Sequence, residues 1–351
     1  MSKHEAWELK QMQAVPLEGK IAMTKRRIRE WYDHWDGQVY VSFSGGKDST
    51  VLKHIVDSMY SDVSSVFVNT GLEYPEIQNF VRDVKSGKYN CFNTDVEIIR
   101  PEIMFNEVIH KYGYPVISKE ISERIYYAKQ GSEWAIQCMS GLNPDGSKSE
   151  FKQRAKKYAF LVDSPIPISH KCCTVMKKSP AKRYEKETGR KPILATMACE
   201  SNLRKTQWTK VGCNAFDGKR PRSAPMSFWT EQDVLHYIKK YDVPYASIYG
   251  DIVVKKPHDV PKDQMTIADI LGIEEYDHLE TTGCDRTGCI FCMFGCHLEE
   301  QPNRFQKLKE THPRQYDYCI NGGEMIDGMW QPNKEGLGLG YVLDYIGVDY
   351  M

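Results

Sequence analysis

One stretch restricts this chain more than any other: Val39-Tyr40-Val41-Ser42-Phe43-Ser44-Gly45-Gly46-Lys47-Asp48-Ser49-Thr50. The apolar run from Gln38 to Phe43 predicts a short strand that enters a glycine turn. Val51, Leu52, Ile55, Val56 and Met59 then recur at helical spacing, with Ser49 or Ser44 placed to cap the helix start. A strand, a Gly-Gly turn and a helix N-terminus gather backbone N–H groups around one point, and such a concavity attracts phosphate. Gly45 and Gly46 would let the backbone approach the ligand closely. Ser42, Ser44 and Ser49 offer hydroxyls, Lys47 a positive charge, and Asp48 a carboxylate for magnesium.

The spacing is not that of the Walker loop, which separates its first glycine from Gly-Lys by four residues. Ser44 to Ser49 resembles instead the Ser-Gly-Gly-Lys-Asp-Ser pyrophosphate-binding loop (PP-loop) of the adenine nucleotide alpha hydrolase superfamily. That resemblance implies chemistry at the α–β phosphate linkage, with Lys47 and Asp48 as catalytic residues.

Further along, Ser65–Asn69 and Val96–Arg100 read as strands, and Pro75 opens a helix with Ile77, Phe80, Val81 and Val84 on its buried face. Lys191–Thr196 predicts another strand, and Thr230 caps a helix carrying Val234, Leu235 and Ile238. Alternating strands and helices predict an α/β fold, a doubly wound and mainly parallel sheet, with ligands at the carboxyl ends of the strands. Thr70, Gly71 and Glu73 follow the second strand, where the adenosine would lie. The predicted organisation is a helical segment 1–36, a nucleotide-binding domain 37–245, and a C-terminal segment 246–351. That last segment holds a polar insertion (Asp251 to Glu280), a cysteine-rich run, a helix from Asn303 to Glu310 and a Gly-rich tail.

Lys+Arg and Asp+Glu both number 47, so no global affinity for polyanions follows. From Lys148 to Lys191, however, thirteen basic residues face four acidic ones, an excess suited to phosphate, sulfate or nucleic acid. Eleven cysteines, a charged Met1–Lys10 unlike a signal peptide, and no span-length apolar run predict thiols in the cytoplasm and no membrane partner.

The cysteines fall into two groups, Cys172-Cys173 and Cys284-x4-Cys289-x2-Cys292-x3-Cys296. Read locally, the second group supplies four thiolates for zinc or an iron–sulfur cluster. Taken in order, several features resemble the phosphoadenosine phosphosulfate (PAPS) reductase family. They are the PP-loop, Cys172-Cys173 with Lys177 and Pro180, Glu200-Ser201-x2-Arg204, Pro225-Met226-x2-Trp229-Thr230, and Thr287-Gly288-Cys289-x2-Cys292. In its iron–sulfur members, the adenylyl sulfate (APS) reductases, a Cys-Cys pair and a later Cys-x2-Cys ligate one [4Fe–4S] cluster. The resemblance thus implies Cys172, Cys173, Cys289 and Cys292 as ligands, and Lys177 and Arg204 as holders of phosphate or sulfate, with Arg204 also catalytic and Glu200 orienting it.

The chain departs from that family in lacking a Glu-Cys-Gly-Leu-His motif near its end; only Cys319 follows the cluster. Its loop is also intact at Lys47 and Asp48, which favours ATP with Mg2+ and an adenylated intermediate passed to a nucleic-acid or protein sulfur acceptor. An APS or PAPS reductase using Cys319 and a thioredoxin-like reductant is the alternative, and a nucleotide-sensing, cluster-bearing subunit of a larger modification or defence assembly, or an oligomer, the third. Trp208 and Trp229 are candidates to stack on a base; His170 and His297 are read as neighbours of the cluster or surface residues.

Overall fold

The apolar strand before the glycine turn is central in a six-stranded sheet. The computed structural model describes residues 4–218, 220–255 and 278–351. In chain order its strands are β1 (Val39–Ser42), β2 (Ser65–Val68), β3 (Val96–Ile99), β4 (Val116–Ile117), β5 (Lys191–Ile193), β6 (Asn214–Ala215), β7 (Arg222–Ser223), β8 (Ile252–Val254), β9 (Leu279–Thr281), β10 (Met293–Phe294), β11 (Glu324–Ile326) and β12 (Met329–Gln331). The large sheet runs β3-β2-β1-β5-β7-β6, parallel except for the β6–β7 edge pair. The fold is therefore the α/β arrangement with a mainly parallel sheet that the strand and helix alternation predicts.

Contacts divide the chain into two units, and neither is a continuous segment. The first comprises Met1–Val68, Tyr74–Ile99 and Arg183–Thr287; the second comprises Asn69–Glu73, Arg100–Lys182 and Gly288–Met351. Their bounds differ from residues 36 and 245. The cause is topological: after β3 the chain leaves the sheet, builds most of the second unit, and returns through the helix Ser179–Thr188 to lay β5 beside β1. Most of the insertion expected over Asp251 to Glu280 lies outside the described residues.

In the first unit the helix Leu17–His34 buries Ile21, Thr24, Ile28 and Trp31 at three- and four-residue spacing. Its Lys20 forms a buried pair with Asp233 at 2.7 Å. The helix Lys47–Asp57 buries Val51, Leu52, Ile55 and Val56 against the sheet, and each such side chain contributes about 1.5–3 kcal/mol. The helix Pro75–Lys85 buries the expected Ile77, Phe80, Val81 and Val84. Thr230 caps Glu231–Tyr241, accepting from Asp233 N–H.

Trp208 and Trp229 are both core residues, with Trp229 Nε1–H donating to Thr24 Oγ1 at 2.8 Å. Neither offers a free face to a base.

In the second unit β4 and β10 pair in parallel, bringing Val116–Ile117 beside Met293–Phe294. Ile117 has φ +60°, a conformation costly for a β-branched residue. It is buried and its carbonyl accepts from Gly295 N–H at 2.8 Å. The tail is more ordered than its glycines suggest: helices Arg304–Thr311, Pro313–Ile320 and Leu339–Tyr345 flank a β11–β12 hairpin. Asn303 caps the first of these. Among the described residues no helix is long and apolar enough to cross a membrane.

Candidate nucleotide cavity and thiol cluster

The strand order reverses between β1 and β5, and the carboxyl ends of those two strands are where a doubly wound sheet leaves a crevice. A cavity of about 290 Å³ opens there. Ser42, Ser44, Gly46, Lys47, Asp48 and Ser49 form one wall, and Leu194–Met197 beyond β5 another. Glu200, Arg204, Glu231, Tyr249 and Asp285–Thr287 complete the lining.

The loop geometry follows from its residues, with one difference from expectation. Neither serine caps the helix, whose N-cap is Gly46 without a side-chain hydrogen bond. Ser49 Oγ instead donates to Gly46 O at 2.9 Å and accepts from Ser44 N–H at 3.1 Å, which ties the turn to itself. Gly45 has φ +73°, and a Cβ there would stand 2.8 Å from Ile77 Cγ2. Its glycine is required by backbone conformation and packing on the Pro75–Lys85 helix, and it does not line the cavity.

Lys47 is not on a surface loop. It opens the helix, is buried, and places Nζ 3.1 Å from Glu231 Oε1 and 5.0 Å from the centroid of the Tyr249 ring. Its backbone N–H donates to Tyr249 Oη at 3.3 Å, and that hydroxyl lies 2.6 Å from Thr287 Oγ1. Burial pushes the Tyr249 phenol up to about 12, so it stays a neutral hydrogen-bonding group at neutral pH. Asp48 is pushed above the usual carboxylate range by burial and by Glu231, against the pull of Lys47, Arg286 and Arg204. Arg204 pairs with Glu200, four residues earlier in the chain.

Tyr249, Glu231 and Arg286 were not legible as site residues. Arg286-Thr287 lies two residues before Cys289, inside the cysteine-rich run.

Thr70, Gly71, Glu73 and Lys177 do not line this cavity. They belong to the second unit, with the cysteines. Thr70 N–H and Oγ–H donate to the Glu73 carboxylate at 3.0 and 2.7 Å, and Leu72 O accepts from Ile290 N–H at 2.7 Å. This buried turn is thereby stitched to the residue after Cys289. Lys177 hydrogen-bonds Cys289; burial opposes its charge, but Cys289, Glu73 and Cys173 together hold its ammonium more firmly protonated.

Cys172, Cys173, Cys289 and Cys292 are brought into one another's electrostatic reach. Burial chiefly, then the neighbouring thiols, pushes Cys172 far up; Cys289 is pushed to about 11, with Lys177 opposing. Cys172-Cys173 precedes a widened π-helical turn, Thr174–Lys178, that leads to Pro180, which has no N–H to give a normal helical turn. Cys292 N–H donates to Cys289 O at 3.0 Å, closing the tight Cys-x2-Cys turn, and Arg304 Nη1 donates to Cys292 O at 2.8 Å.

Cys284 lies in the first unit, where its N–H donates to Ile248 O at 3.0 Å. Cys296 is buried with its Sγ 3.0 Å from Met293 O. Four neighbouring thiols are the donor type that both zinc and an iron–sulfur cluster take. Among the described residues, no three or more His, Cys, Asp or Glu side chains are arranged to hold a single metal ion.

Cys319 is fully buried and its thiol is raised by burial well above the ordinary range. It is not the exposed thiolate that a nucleophile must be. His170 Nε2 lies 3.5 Å from Glu123, and His297 Nε2 is 3.0 Å from Tyr158 Oη.

The phosphoadenosine phosphosulfate reductase domain model matches residues 38–130 and 120–294. An adenosine 5'-phosphosulfate reductase of Staphylococcus haemolyticus is 23% identical over 228 residues, 63% of this chain and 70% of that protein. The uncharacterized protein MJ0066 of Methanocaldococcus jannaschii is 23% identical over 315 residues; the match covers 87% of this chain but spans 48% of the relative's length. The crystal structure of PAPS reductase from Candida auris, a phosphate complex, aligns with a TM-score of 0.37 and 14% identity, covering 64% of this chain and 82% of that one. With the family model matched over most of its length, the chain belongs to the phosphoadenosine phosphosulfate reductase domain family.

Proposed function

We propose that the chain is an enzyme that binds ATP with Mg2+ in the PP-loop cavity and cleaves it at the α–β linkage, adenylating an acceptor in sulfur-transfer or nucleic-acid modification chemistry. The observation that carries this is the joint lining of one cavity by Lys47, Asp48, Arg204 and Arg286. Lys47 and the arginines would hold phosphate oxygens through charge-assisted hydrogen bonds, and a pyrophosphate leaving group gains most from such donors as its charge develops. Asp48 would bind magnesium once the cation offsets the burial that now disfavours its ionised form.

Cys172, Cys173, Cys289 and Cys292 would hold a [4Fe–4S] cluster. Zinc takes the same four thiolates, and metal analysis of anaerobically purified protein separates the two. When bound, the cluster supplies a charged anchor joining two segments of the second unit. Lys177 and Arg304, beside Cys289 and Cys292, would offset the thiolate charge.

A second reading, reduction of APS or PAPS to sulfite, has the family and the Staphylococcus haemolyticus relative in its favour. Against it stands the burial of Cys319, its candidate thiol. Incubating anaerobically purified protein with ATP, APS or PAPS, and assaying pyrophosphate and sulfite, separates the two. Pyrophosphate from ATP supports the first reading, and sulfite from APS or PAPS the second. Binding of nucleotide without either product would leave a sensing subunit.

A further inference from the structure

The ammonium on which the nucleotide reading turns is already engaged. Lys47 Nζ pairs with Glu231 Oε1 at 3.1 Å; the lysine side chain is 5% accessible and the glutamate 43%. Glu231 is the first residue of the helix Glu231–Tyr241, where the helix dipole favours a negative charge and holds the carboxylate in place. The cavity lining as a whole carries Lys47, Arg204 and Arg286 against Asp48, Glu200, Glu231 and Asp285. Two of those cations are committed to carboxylates, Lys47 to Glu231 and Arg204 to Glu200. A polyphosphate entering this cavity must therefore compete with a carboxylate for Lys47, and it meets a lining with no excess of positive charge.

We propose that Glu231 is a specificity-determining residue, a counter-charge that phosphate must displace from Lys47. Through it the cavity favours nucleotides whose phosphates are neutralised by a divalent cation over free polyanions. The inference rests on the nucleotide reading above and adds the residue that sets its charge selectivity. Coulomb repulsion grows with ligand charge, so the effect of Glu231 is graded. It is largest for metal-free ATP and pyrophosphate, smaller for ATP with Mg2+, and smallest for AMP. Salt weakens it, because Glu231 is the exposed partner.

Titration calorimetry on the full chain tests this, with pyrophosphate, ATP in EDTA, ATP with Mg2+, and AMP as probes. Glu231→Gln keeps an oxygen to accept from Lys47 and removes the charge. It should bind pyrophosphate and metal-free ATP roughly fivefold tighter than the wild type, with a gain for AMP of less than about twofold. The gain should shrink in Mg2+ and in high salt, and in a Lys47→Ala background. Glu231→Asp, which keeps the charge on a shorter arm, should retain the wild-type ranking of ligands; if the Gln variant loses its melting transition, Glu231→Ala, which also removes the charge, carries the test. Equal gains for all four ligands, or none, would overturn the role of Glu231 while leaving nucleotide binding standing. No binding by either protein would overturn the nucleotide reading itself, and this inference with it.

Discussion

The two candidate centres are built in opposite ways. The nucleotide cavity grows from one contiguous run, Ser42–Ser49, whose turn is tied by its own hydrogen bonds and whose lysine is already paired. The thiol cluster joins Cys172-Cys173 to Cys289 and Cys292 across more than a hundred residues of chain, and its buried thiols are uncomfortable as thiolates without a positive partner. The first centre can hold its shape through local contacts. The second needs something to bind the sulfurs, or it must keep them protonated. One is held by contacts within a dozen residues, the other by the return of a distant segment.

The sharpest way to break this contrast is to remove a thiolate. Cys292→Ser should abolish iron incorporation and visible absorbance, and should lower Tm by more than any cavity mutation, since a hydroxyl does not replace a thiolate ligand. The Cys172/Cys173 double serine variant should behave likewise, whereas Cys284→Ser and Cys296→Ser should keep their iron. Iron retained in Cys292→Ser, or lost in Cys284→Ser, would erase the distinction. Iron analysis and thermal melts of anaerobic protein give the answer.

On the cavity side, Lys47→Ala should weaken ATP binding by about 1.5–3 kcal/mol, the worth of a hydrogen bond to a charged group. It should leave iron content unchanged. Unaltered affinity in calorimetry would remove the loop from the site.

The smallest effect has an unusual sign. The Asp48 carboxyl is raised by burial and by Glu231, so the folded state favours its protonated form more than the unfolded chain does. Its contribution to stability is present at acid pH below the unfolded value and is lost as pH rises through the folded one. Asp48→Asn should therefore raise Tm slightly at neutral pH, with the difference vanishing in acid, while it weakens Mg2+-dependent nucleotide binding. Melts across the acid range check the sign; a lowered Tm at neutral pH would show that Asp48 is stabilising after all.

This contrast also explains what the sequence made legible. β1, the glycine turn and the helix after it depend on neighbours within a dozen residues, so periodicity and turn chemistry suffice to read them. Glu231, Tyr249 and Arg286 reach the loop from distant elements, and no local pattern marks a glutamate at a helix start as a lysine's partner. Thr70, Gly71 and Glu73 follow a strand of the nucleotide sheet, yet Leu72 among them accepts from Ile290 N–H and the Glu73 carboxylate lies by Lys177. Position after a strand places a residue at the sheet's edge; which neighbour it then meets is decided by the returning chain. Trp208 and Trp229 show the same limit, since an aromatic ring reads alike whether it packs in a core or faces a base.

The return of β5 to β1 has a consequence for how the molecule assembles. Val41 pairs with Ile193, so one edge of β1 has no partner until about 150 further residues have been made, and closing so long a loop is slow rather than thermodynamically prohibitive. During synthesis the β3-β2-β1 half of the sheet presents an open, apolar edge, the kind that recruits other strands. Chains released just before Lys191 should aggregate or require a chaperone more than the full-length chain does. The order of translation thus sets a window of vulnerability that ends when one short strand arrives.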